Sequence, residues 1–412
     1  MSGHARWGLA LLALPLAGAF IWRNPLVCAL VGAAALMALL TWPAAARRAV
    51  VDGWLWIWTG CLAYAFLVAS PDRLADLPAT VLVLGMAILG ARSAASHGSD
   101  TALAVCLAGI ALVCAGSLAG GVFAPDTALV AAGYEQGSLL GPFVHRNQMG
   151  TIAGLGVVLA AGWLLDRRKF NWLTVLALLA SGSALAWSNS RTAWVGTALG
   201  VCFMLLHASR ASRVLRFSAL VSLLLVSQVL LVTTEWLSGG AALLGRDGTL
   251  TGRTAIWQAV LDQVARFQPF GGGLTSTWAS GSALDSAVWT EVGFEAFHSH
   301  QAWLDVLVTC GVVVLVPLVV LFLRASWRAT EPLGPATGFA TLPAFGALSY
   351  FVAVSADNSI FHLAYVAFVL GVVAAHPRSV TTSRGDLSRA RDEMRPGDSR
   401  LLRASPLRVW AR

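Results

Sequence analysis

The stretch AWLDVLVTCGVVVLVPLVVLFL, residues 302–323, decides the fold class, because only Asp305 is charged in it. A membrane-spanning helix needs roughly 20 apolar residues to cross a hydrocarbon core about 30 Å thick. The whole chain shares this composition, with 57% hydrophobic and 12% charged residues among 412. A soluble domain carries about 25% charged residues. The composition therefore excludes a water-soluble fold, since too few polar residues remain to cover its surface.

Twelve apolar runs have about the length of a membrane span, and the fourth and eighth are the weakest. They are residues 7–22, 25–42, 53–70, 74–91, 101–118, 149–165, 172–187, 192–206, 217–234, 302–323, 338–355 and 359–375. We therefore predict an all-α polytopic membrane protein with about 12 transmembrane helices and a large, partly helical periplasmic loop. The predicted divisions are helices 1–9 in 1–234, the loop in 235–301, helices 10–12 in 302–375 and a tail in 376–412.

Basic residues predict the orientation of these spans. With a cytoplasmic N-terminus, 21 of the 28 Lys and Arg residues fall on the cytoplasmic side, nine of them in the tail. Because cytoplasmic loops of membrane proteins are enriched in Lys and Arg, we predict an inner-membrane protein with both termini in the cytoplasm. The net charge of +8 then reflects this bias and gives no reason to expect nucleic acid as a partner.

The predicted periplasmic loop contains one helical pattern, in residues 253–267. Its apolar residues are spaced so that they share one helical face. They are Ile256, Val260, Val264 and Phe267. We expect a helix that lies on the membrane surface and ends at the glycines of residues 271–273.

Arginines on the predicted periplasmic side need an explanation, because the charge bias disfavours them there. Three of them lie in distinctive segments at membrane boundaries, and a histidine-containing segment precedes the tenth span. These segments are GPFVHRNQMG (141–150), SNSRTAW (188–194), GRTAIW (252–257) and FHSHQAWL (297–304).

Together these segments resemble the superfamily of O-antigen ligases and polysaccharide polymerases, which use undecaprenyl-pyrophosphate-linked glycans. Ligases of this family carry His, then Asn, Ser or Gln, then nine residues and Gly-x-x-Thr. His300, Gln301 and Gly311 fit this register, but Val314 replaces the Thr. The His-Arg-Asn at 145–147 is similar to a His-Lys-Asn segment of exopolysaccharide polymerases. Arg191 and Arg253 match the Ser-Arg-Thr and Gly-Arg-x-x-x-Trp segments of the family.

The resemblance implies glycosyl transfer, and these residue types suit that chemistry. Arginine stays charged and binds phosphate through a planar fork of donors. Arg191 and Arg253 are thus expected to stabilise a departing pyrophosphate, with Arg253 in the first turn of its helix. A histidine side chain can accept a proton near neutral pH, so His300 is the expected base for the proton of the acceptor hydroxyl. Neither Asp-x-Asp nor a metal-spaced His/Cys cluster occurs on this side, so we expect no metal and no cofactor.

The expected catalytic residues are thus Arg191, Arg253 and His300. The expected substrate-binding residues are Arg146, Asn147, His298 and Asp305. Expected partners are an undecaprenyl-pyrophosphate-linked glycan donor, a glycan or lipid A-core acceptor and membrane lipid, with a chain-length regulator as a further candidate.

Other readings of the same residues stay open. Arg191 can extend to the membrane interface without binding a ligand, Arg146 can pair with Glu135, and His298 can be structural. The acceptor decides between a lipid A-core ligase and an exopolysaccharide polymerase, and the segment at 145–147 with Val314 favours the polymerase. A flippase or transporter for lipid-linked sugar is the alternative of a different class.

Overall fold

A computed structural model describes residues 49–133, 135–143, 145–166, 171–209, 211–232, 253–293, 296, 298–331, 341–355 and 363–377. The helices are α1 (Gly53–Ala69), α2 (Arg73–His97), α3 (Ser99–Phe123), α4 (Pro125–Ala128), α5 (Arg146–Leu165), α6 (Trp172–Ser188), α7 (Arg191–Ala208), α8 (Arg213–Val232), α9 (Arg253–Gln263), α10 (Ala283–Val292), α11 (Ala302–Ala329), α12 (Thr341–Val354) and α13 (Leu363–Ala374). Two short 3₁₀ helices, Val264–Phe267 and Ser276–Trp278, lie between α9 and α10. The strands Ala49–Val51 and Ala375–Pro377 pair with each other.

The fold is that of an all-α polytopic membrane protein, as predicted. Five described helices, α2, α3, α5, α7 and α11, are long and apolar enough to cross a membrane, and α1, α6, α12 and part of α13 are shorter apolar helices. Candidate spans three to twelve each coincide with a helix, including the weak fourth and eighth runs, which form α2 and α7. The first two candidate spans, the loop segment 235–252 and residues 378–412 lie outside the described residues.

The helices alternate in direction and so define two ends of the bundle. Tyr350, near the end of α12, donates a hydrogen bond to the Thr151 carbonyl in the first turns of α5 (2.7 Å). At the opposite end, the rings of Phe345 and His207 lie 5.3 Å apart, near the start of α12 and the end of α7. We call these the loop end and the tail end, respectively.

Glycines allow this close helix packing. A Cβ added at Gly150 would lie 2.4 Å from Ser190 Cβ, and one at Gly154 would lie 2.5 Å from the Tyr350 hydroxyl. Small residues are typical where membrane helices approach closely. The starts of α5 and α7 are thereby held beside each other at the loop end.

A second, smaller core lies in the described part of the predicted loop. Its buried side chains come from α9, α10, the segment between them, Ala296 and the first turns of α11. They include Ile256, Val260, Leu284, Val288 and Val308. The sequence correctly predicted one apolar face for the helix that begins at Arg253. The expectation that this face lies on the membrane is wrong, because protein side chains cover it.

Helix α11 is broken at Gly311, whereas the sequence predicted one continuous span. Gly311 has φ 73° and ψ 173°, a conformation that is essentially restricted to glycine. A Cβ there would also lie 2.1 Å from the Pro269 carbonyl oxygen. The 18 residues after the break are about 27 Å long at 1.5 Å per residue, which suffices for a span.

The break leaves backbone groups unpaired within the helix, and residues 268–273 satisfy them. In a continuous helix the carbonyls of residues 307–309 would accept from the N–H groups of 311–313. Here the Leu307 carbonyl accepts from Gln268 Nε2 (3.0 Å). The Val308 and Thr309 carbonyls accept from the N–H groups of residues 272 and 273 (3.0 and 2.9 Å). Unpaired backbone groups are costly away from water, so this splice, formed by residues 268–273 and 307–313, stabilises the broken helix.

Two further bonds complete the splice on the other side of Gly311. The Val312 N–H donates to Gln268 Oε1 (2.8 Å), and the Val313 N–H donates to the Pro269 carbonyl (3.2 Å). Gln268 thus uses both ends of its amide to replace helical hydrogen bonds. The first half of α11 belongs to the loop core, and the splice connects that half to the membrane bundle.

Candidate functional site

The turn that precedes α11 holds His300 by a dense set of hydrogen bonds. Asp305 is fully buried, and its Oδ1 accepts from the Ser299 N–H (2.8 Å). The Ser299 hydroxyl donates to the Gln301 carbonyl (2.7 Å), and the Gln301 side chain caps α11 at the Leu304 N–H. Asp305 therefore fixes the backbone beside His300.

His300 itself has an unusual backbone conformation. Its φ is +55°, in the left-handed region that few residues other than glycine adopt. The His298 Nδ1 accepts from the His300 N–H (3.0 Å), and the two rings lie 4.0 Å apart between centroids. His298 thus has a structural contact, which agrees with the interpretation of His298 as a structural histidine. Strained residues of this kind cluster at functional sites, so the conformation supports a role for the half-buried His300.

A second polar group forms where α5 begins. His145 caps the helix, since its Nδ1 accepts from the Asn147 N–H (3.1 Å). Arg146 is the first residue of α5, and its guanidinium donates to Glu135 and to the Asn189 carbonyl. The Arg146–Glu135 pair is therefore present. Arg146 thereby connects the segment before α5, through Glu135, to the turn before α7, through the Asn189 carbonyl.

Arg191 is the first residue of α7, two residues after the Asn189 carbonyl that Arg146 contacts. Its side chain is exposed, and it forms neither a hydrogen bond nor an ion pair with any residue that the structure describes. A positive side chain at a helix N-terminus is disfavoured by the helix dipole by about 0.3–1 kcal/mol. Arg191 is therefore held where an anion would be stabilised by both the guanidinium and the helix.

An apolar groove of about 510 Å³ lies between α6 and α7, starting one turn beyond Arg191. Its lining is almost entirely apolar or small. The lining residues are Gly182, Leu185, Ala186, Trp194, Thr197, Ala198, Val201 and Cys202. Arg191 thus precedes, along α7, a groove whose walls suit a hydrocarbon chain.

The loop end brings these groups together through α12 and α9. The Ala302 N–H donates to the Ser355 carbonyl (2.8 Å), directly after α12, and α12 packs on the starts of α5 and α7. The indole of Trp257 donates to the Ser299 carbonyl (2.8 Å). Because α9 begins at Arg253, one helical turn before Trp257, the backbone of Arg253 starts the helix that contacts the His300 turn.

Two residues that shape this end were missed in the sequence. Asp76, in the first turn of α2, is buried and contacts the loop, and Gln268 completes the splice. An acidic residue near the start of an apolar run was a usable signal for Asp76, because such residues are rare in spans. Gln268 gave no signal, since its role depends on a helix break 43 residues later.

Known proteins resemble this region in sequence. Residues 175–319 match the sequence profile of a family described as O-antigen ligase. The matched region contains Arg191, Arg253, His300 and Asp305, whereas Arg146 and Asn147 precede it. The resemblance inferred from the motifs is confirmed.

A curated relative extends the comparison. The exopolysaccharide production protein ExoQ of Rhizobium meliloti (strain 1021) is 31% identical over 204 residues. The match covers 46% of this chain and 46% of that protein. The matched part of this chain therefore spans less than half the length of the relative. Together the two comparisons support a role in surface or exopolysaccharide biosynthesis.

Proposed function

We propose that this protein is a glycosyltransferase of surface or exopolysaccharide biosynthesis that takes glycan from undecaprenyl pyrophosphate. The reaction takes place on the periplasmic side of the inner membrane, at the loop end, and both termini are cytoplasmic. The observation that carries the proposal is the assembly of the His300 turn, the Arg191 helix start and the start of α9 at this one end.

The donor fits the described chemistry. Its pyrophosphate is an anion near the headgroup plane, and Arg191 offers an exposed guanidinium at a helix start. Arg253 begins a helix at the same end, and Arg146 with Asn147 begins another. The groove between α6 and α7 suits part of the polyprenyl chain, which enters laterally from the membrane.

The proposed reaction is one inverting displacement. The acceptor hydroxyl oxygen attacks the anomeric carbon of the donor sugar, and the bond from that carbon to the phosphate oxygen breaks. Polyprenyl pyrophosphate leaves with the electron pair of that bond, and the proton of the acceptor passes to His300. Arg191 and Arg253 stabilise the charge on the leaving group, so the proposed mechanism needs no metal. His298 and Asp305 hold the His300 turn.

The acceptor defines two versions of this function. The similarity to an exopolysaccharide production protein favours a polymerase whose acceptor is another carrier-linked glycan, a reaction that a chain-length regulator would control. The O-antigen ligase match favours transfer to lipid A-core. The similarity to the relative and the 145–147 segment make polymerisation our first choice.

The test is complementation of a chromosomal deletion. Wild type, Arg191→Ala, Arg253→Ala and His300→Ala are expressed at matched membrane levels, and lipopolysaccharide and secreted polysaccharide are analysed together. Arg266→Ala is the matched control, because Arg266 is an exposed loop arginine whose hydrogen bond, among the residues that the structure describes, goes to the neighbouring Gln263. We expect the first three variants to behave like the deletion and the control like wild type.

The product that disappears distinguishes polymerase from ligase. If the three variants restore both products fully, the proposed mechanism is wrong. A purified protein that transfers no sugar, yet moves labelled lipid-linked sugar across liposomes, would favour the flippase.

A further inference from the structure

A buried carboxylate outside the proposed chemistry connects α2 to the loop core. Asp76 is 1% exposed, and its two oxygens accept five hydrogen bonds. Its Oδ1 accepts from the N–H and hydroxyl of Thr275 (2.6 and 2.7 Å) and from the Ser276 N–H (2.9 Å). Its Oδ2 accepts from the hydroxyls of Ser276 and Ser70, both at 2.6 Å. Four of the five donors thus belong to two consecutive loop residues.

Burial makes this contact a strong link. A carboxylate removed from water is stable only when hydrogen bonds replace its hydration. Without residues 275 and 276, Asp76 would keep only the Ser70 donor among the five. The approach is close enough to require a glycine, since a Cβ at Gly273 would lie 2.0 Å from Asp76 Oδ2.

The loop residues that bind Asp76 lie directly next to the residues of the splice. Gly273, beside Asp76, donates its N–H to the Thr309 carbonyl (2.9 Å), and Gly272 donates to Val308 (3.0 Å). These carbonyls belong to the first half of α11, which also carries Asp305. Asp305 in turn fixes the Ser299 N–H, next to His300. One hydrogen-bonded path therefore runs from α2 to the His300 turn.

We propose that Asp76 is a positioning residue that fastens residues 275–276 to α2 and so holds His300 in place over the membrane bundle. This contact, which we call the Asp76 latch, rests on the proposed function only for its catalytic consequence. Its structural consequence is that residues 271–276 cover the broken turn of α11. That turn contains Cys310, which is 2% exposed, and a Cβ on Gly271 would lie 2.4 Å from the Cys310 nitrogen.

The native cysteines report on the latch. Wild type and Asp76→Asn are treated with N-ethylmaleimide in detergent, and modification of each cysteine is followed by peptide mass spectrometry. The exposed Cys202 serves as the reference for reagent access, and the fully buried Cys114 of α3 reports global unfolding. Asp72→Asn is the matched control, because Asp72 lies one turn earlier, is exposed and can cap α2 as Asn.

We expect Cys310 in Asp76→Asn to react about tenfold faster than in wild type, as the loss of one or two charge-assisted hydrogen bonds implies, while Cys114 stays protected. Sugar transfer by the same sample should show a lower kcat with a nearly unchanged donor KM, since the latch positions the base and not the donor. Asp72→Asn should match wild type in both measurements.

A second variant covers the case in which Asp76→Asn does not fold, which exposure of Cys114 would reveal. Ser276→Ala removes one donor from the loop side and should give the same pattern more weakly. Continued protection of Cys310 in both folded variants would overturn the latch, whatever the transfer assay shows. Exposure of Cys310 with wild-type kcat would overturn the positioning role. If even wild type transfers no sugar, the proposed function fails, but the cysteine result still decides the latch.

Discussion

Arg191 at the loop end differs in its contacts from the described arginines at the tail end. At the tail end, Asp52 lies 2.9 Å from both Arg324 Nε and Arg328 Nη2. Arg216 is 8% exposed, lies 3.0 Å from His207 Nδ1 and donates to the Ser209 carbonyl (3.1 Å). At the loop end, Arg146 pairs with Glu135, but the exposed Arg191 contacts no described residue through a hydrogen bond or ion pair.

This difference distinguishes arginines that stabilise the fold from arginines that are available to a ligand. A tail-end arginine already has a carboxylate, carbonyl or ring as its partner, so its removal should reduce stability. An arginine at a helix start without such a partner costs stability and is available to an anion. Alanine substitution is therefore expected to have opposite effects at Arg191 and at a bonded tail-end arginine.

The largest expected effect is on transfer by Arg191→Ala. Loss of a donor that stabilises the leaving group reduces kcat by about 10²–10³-fold, and Arg191→Lys should recover only part, because Lys lacks the planar fork. The measurement is sugar transfer from lipid-linked donor by purified protein. Arg213→Ala is the tail-end counterpart, since Arg213 contacts Trp327, Thr330 and Glu331.

Arg213→Ala should lower the thermal stability but leave the transfer rate per folded molecule near that of wild type. Equal loss of transfer in both variants, with both proteins folded, would contradict the distinction between the ends.

The next effect in size concerns the broken helix at the loop end. In Gly311→Ala, backbone strain and the overlap with Pro269 should each cost about 1–3 kcal/mol. Gly60→Ala in α1 is the control, because a Cβ there meets nothing within 4 Å. Thermal unfolding in detergent should show a much lower midpoint for Gly311→Ala only. Similar midpoints would mean that the splice tolerates a Cβ at residue 311.

A smaller effect is expected from the ion pairs of Asp52 with Arg324 and Arg328 at the tail end. Burial favours the neutral form of Asp52, but the Trp54 N–H, Arg324 and Arg328 outweigh it and lower its pKa below the usual 3.8. Because the folded-state pKa is the lower one, the stabilisation is complete above the unfolded pKa and is lost as pH falls through the folded pKa. Asp52→Asn should therefore cost about 1–3 kcal/mol at neutral pH.

The measurement for Asp52 is thermal unfolding at several pH values, with the exposed Asp126→Asn as the control. The deficit of Asp52→Asn should be constant between pH 5 and pH 8, in line with a carboxylate that is ionised throughout. A stability difference between Asp52→Asn and wild type that changes across this pH range would mean that the two arginines do not keep Asp52 ionised.

The smallest expected effect is from Trp327→Leu. The Arg213 guanidinium lies 4.1 Å from the centre of the Trp327 ring, and the Phe217 ring meets it edge-on at 5.2 Å. Loss of the cation–π and aromatic contacts should cost about 0.5–2 kcal/mol. Unfolding midpoints of Trp327→Leu and of Trp289→Leu, an exposed loop tryptophan, provide the comparison. A larger decrease of the unfolding midpoint in Trp289→Leu than in Trp327→Leu would contradict the expected stabilisation by the Trp327 contacts.

The two ends also differ in how far the sequence predicts them. Span positions follow from local composition, and even the weak runs that became α2 and α7 were recognisable because a span needs only length and apolarity. The arginine segments could be assigned to one end, because helices alternate in direction. The turn around His300 could not be predicted in detail, since it depends on Asp305, Trp257 and Ser355 meeting in space.

Contacts between distant residues explain the remaining misses. Asp76 bonds with residues 199 and 200 positions later, and Gln268 bonds with Val312. Hydrophobic periodicity predicts that a helix has an apolar face, but it does not say whether lipid or protein covers that face. For that reason α9 was assigned to the membrane surface although α10 and α11 bury it.

The splice also has a consequence for how the chain is made. Residues 268–273 leave the ribosome before α11, so the groups that complete the broken helix already exist when that helix reaches the membrane. Asp76 is made earlier still, with α2, and so is available before residues 275–276 are synthesised. The order of synthesis thus supplies each partner before the backbone that needs it, and a circular permutation that places α11 ahead of residue 268 would reverse this order.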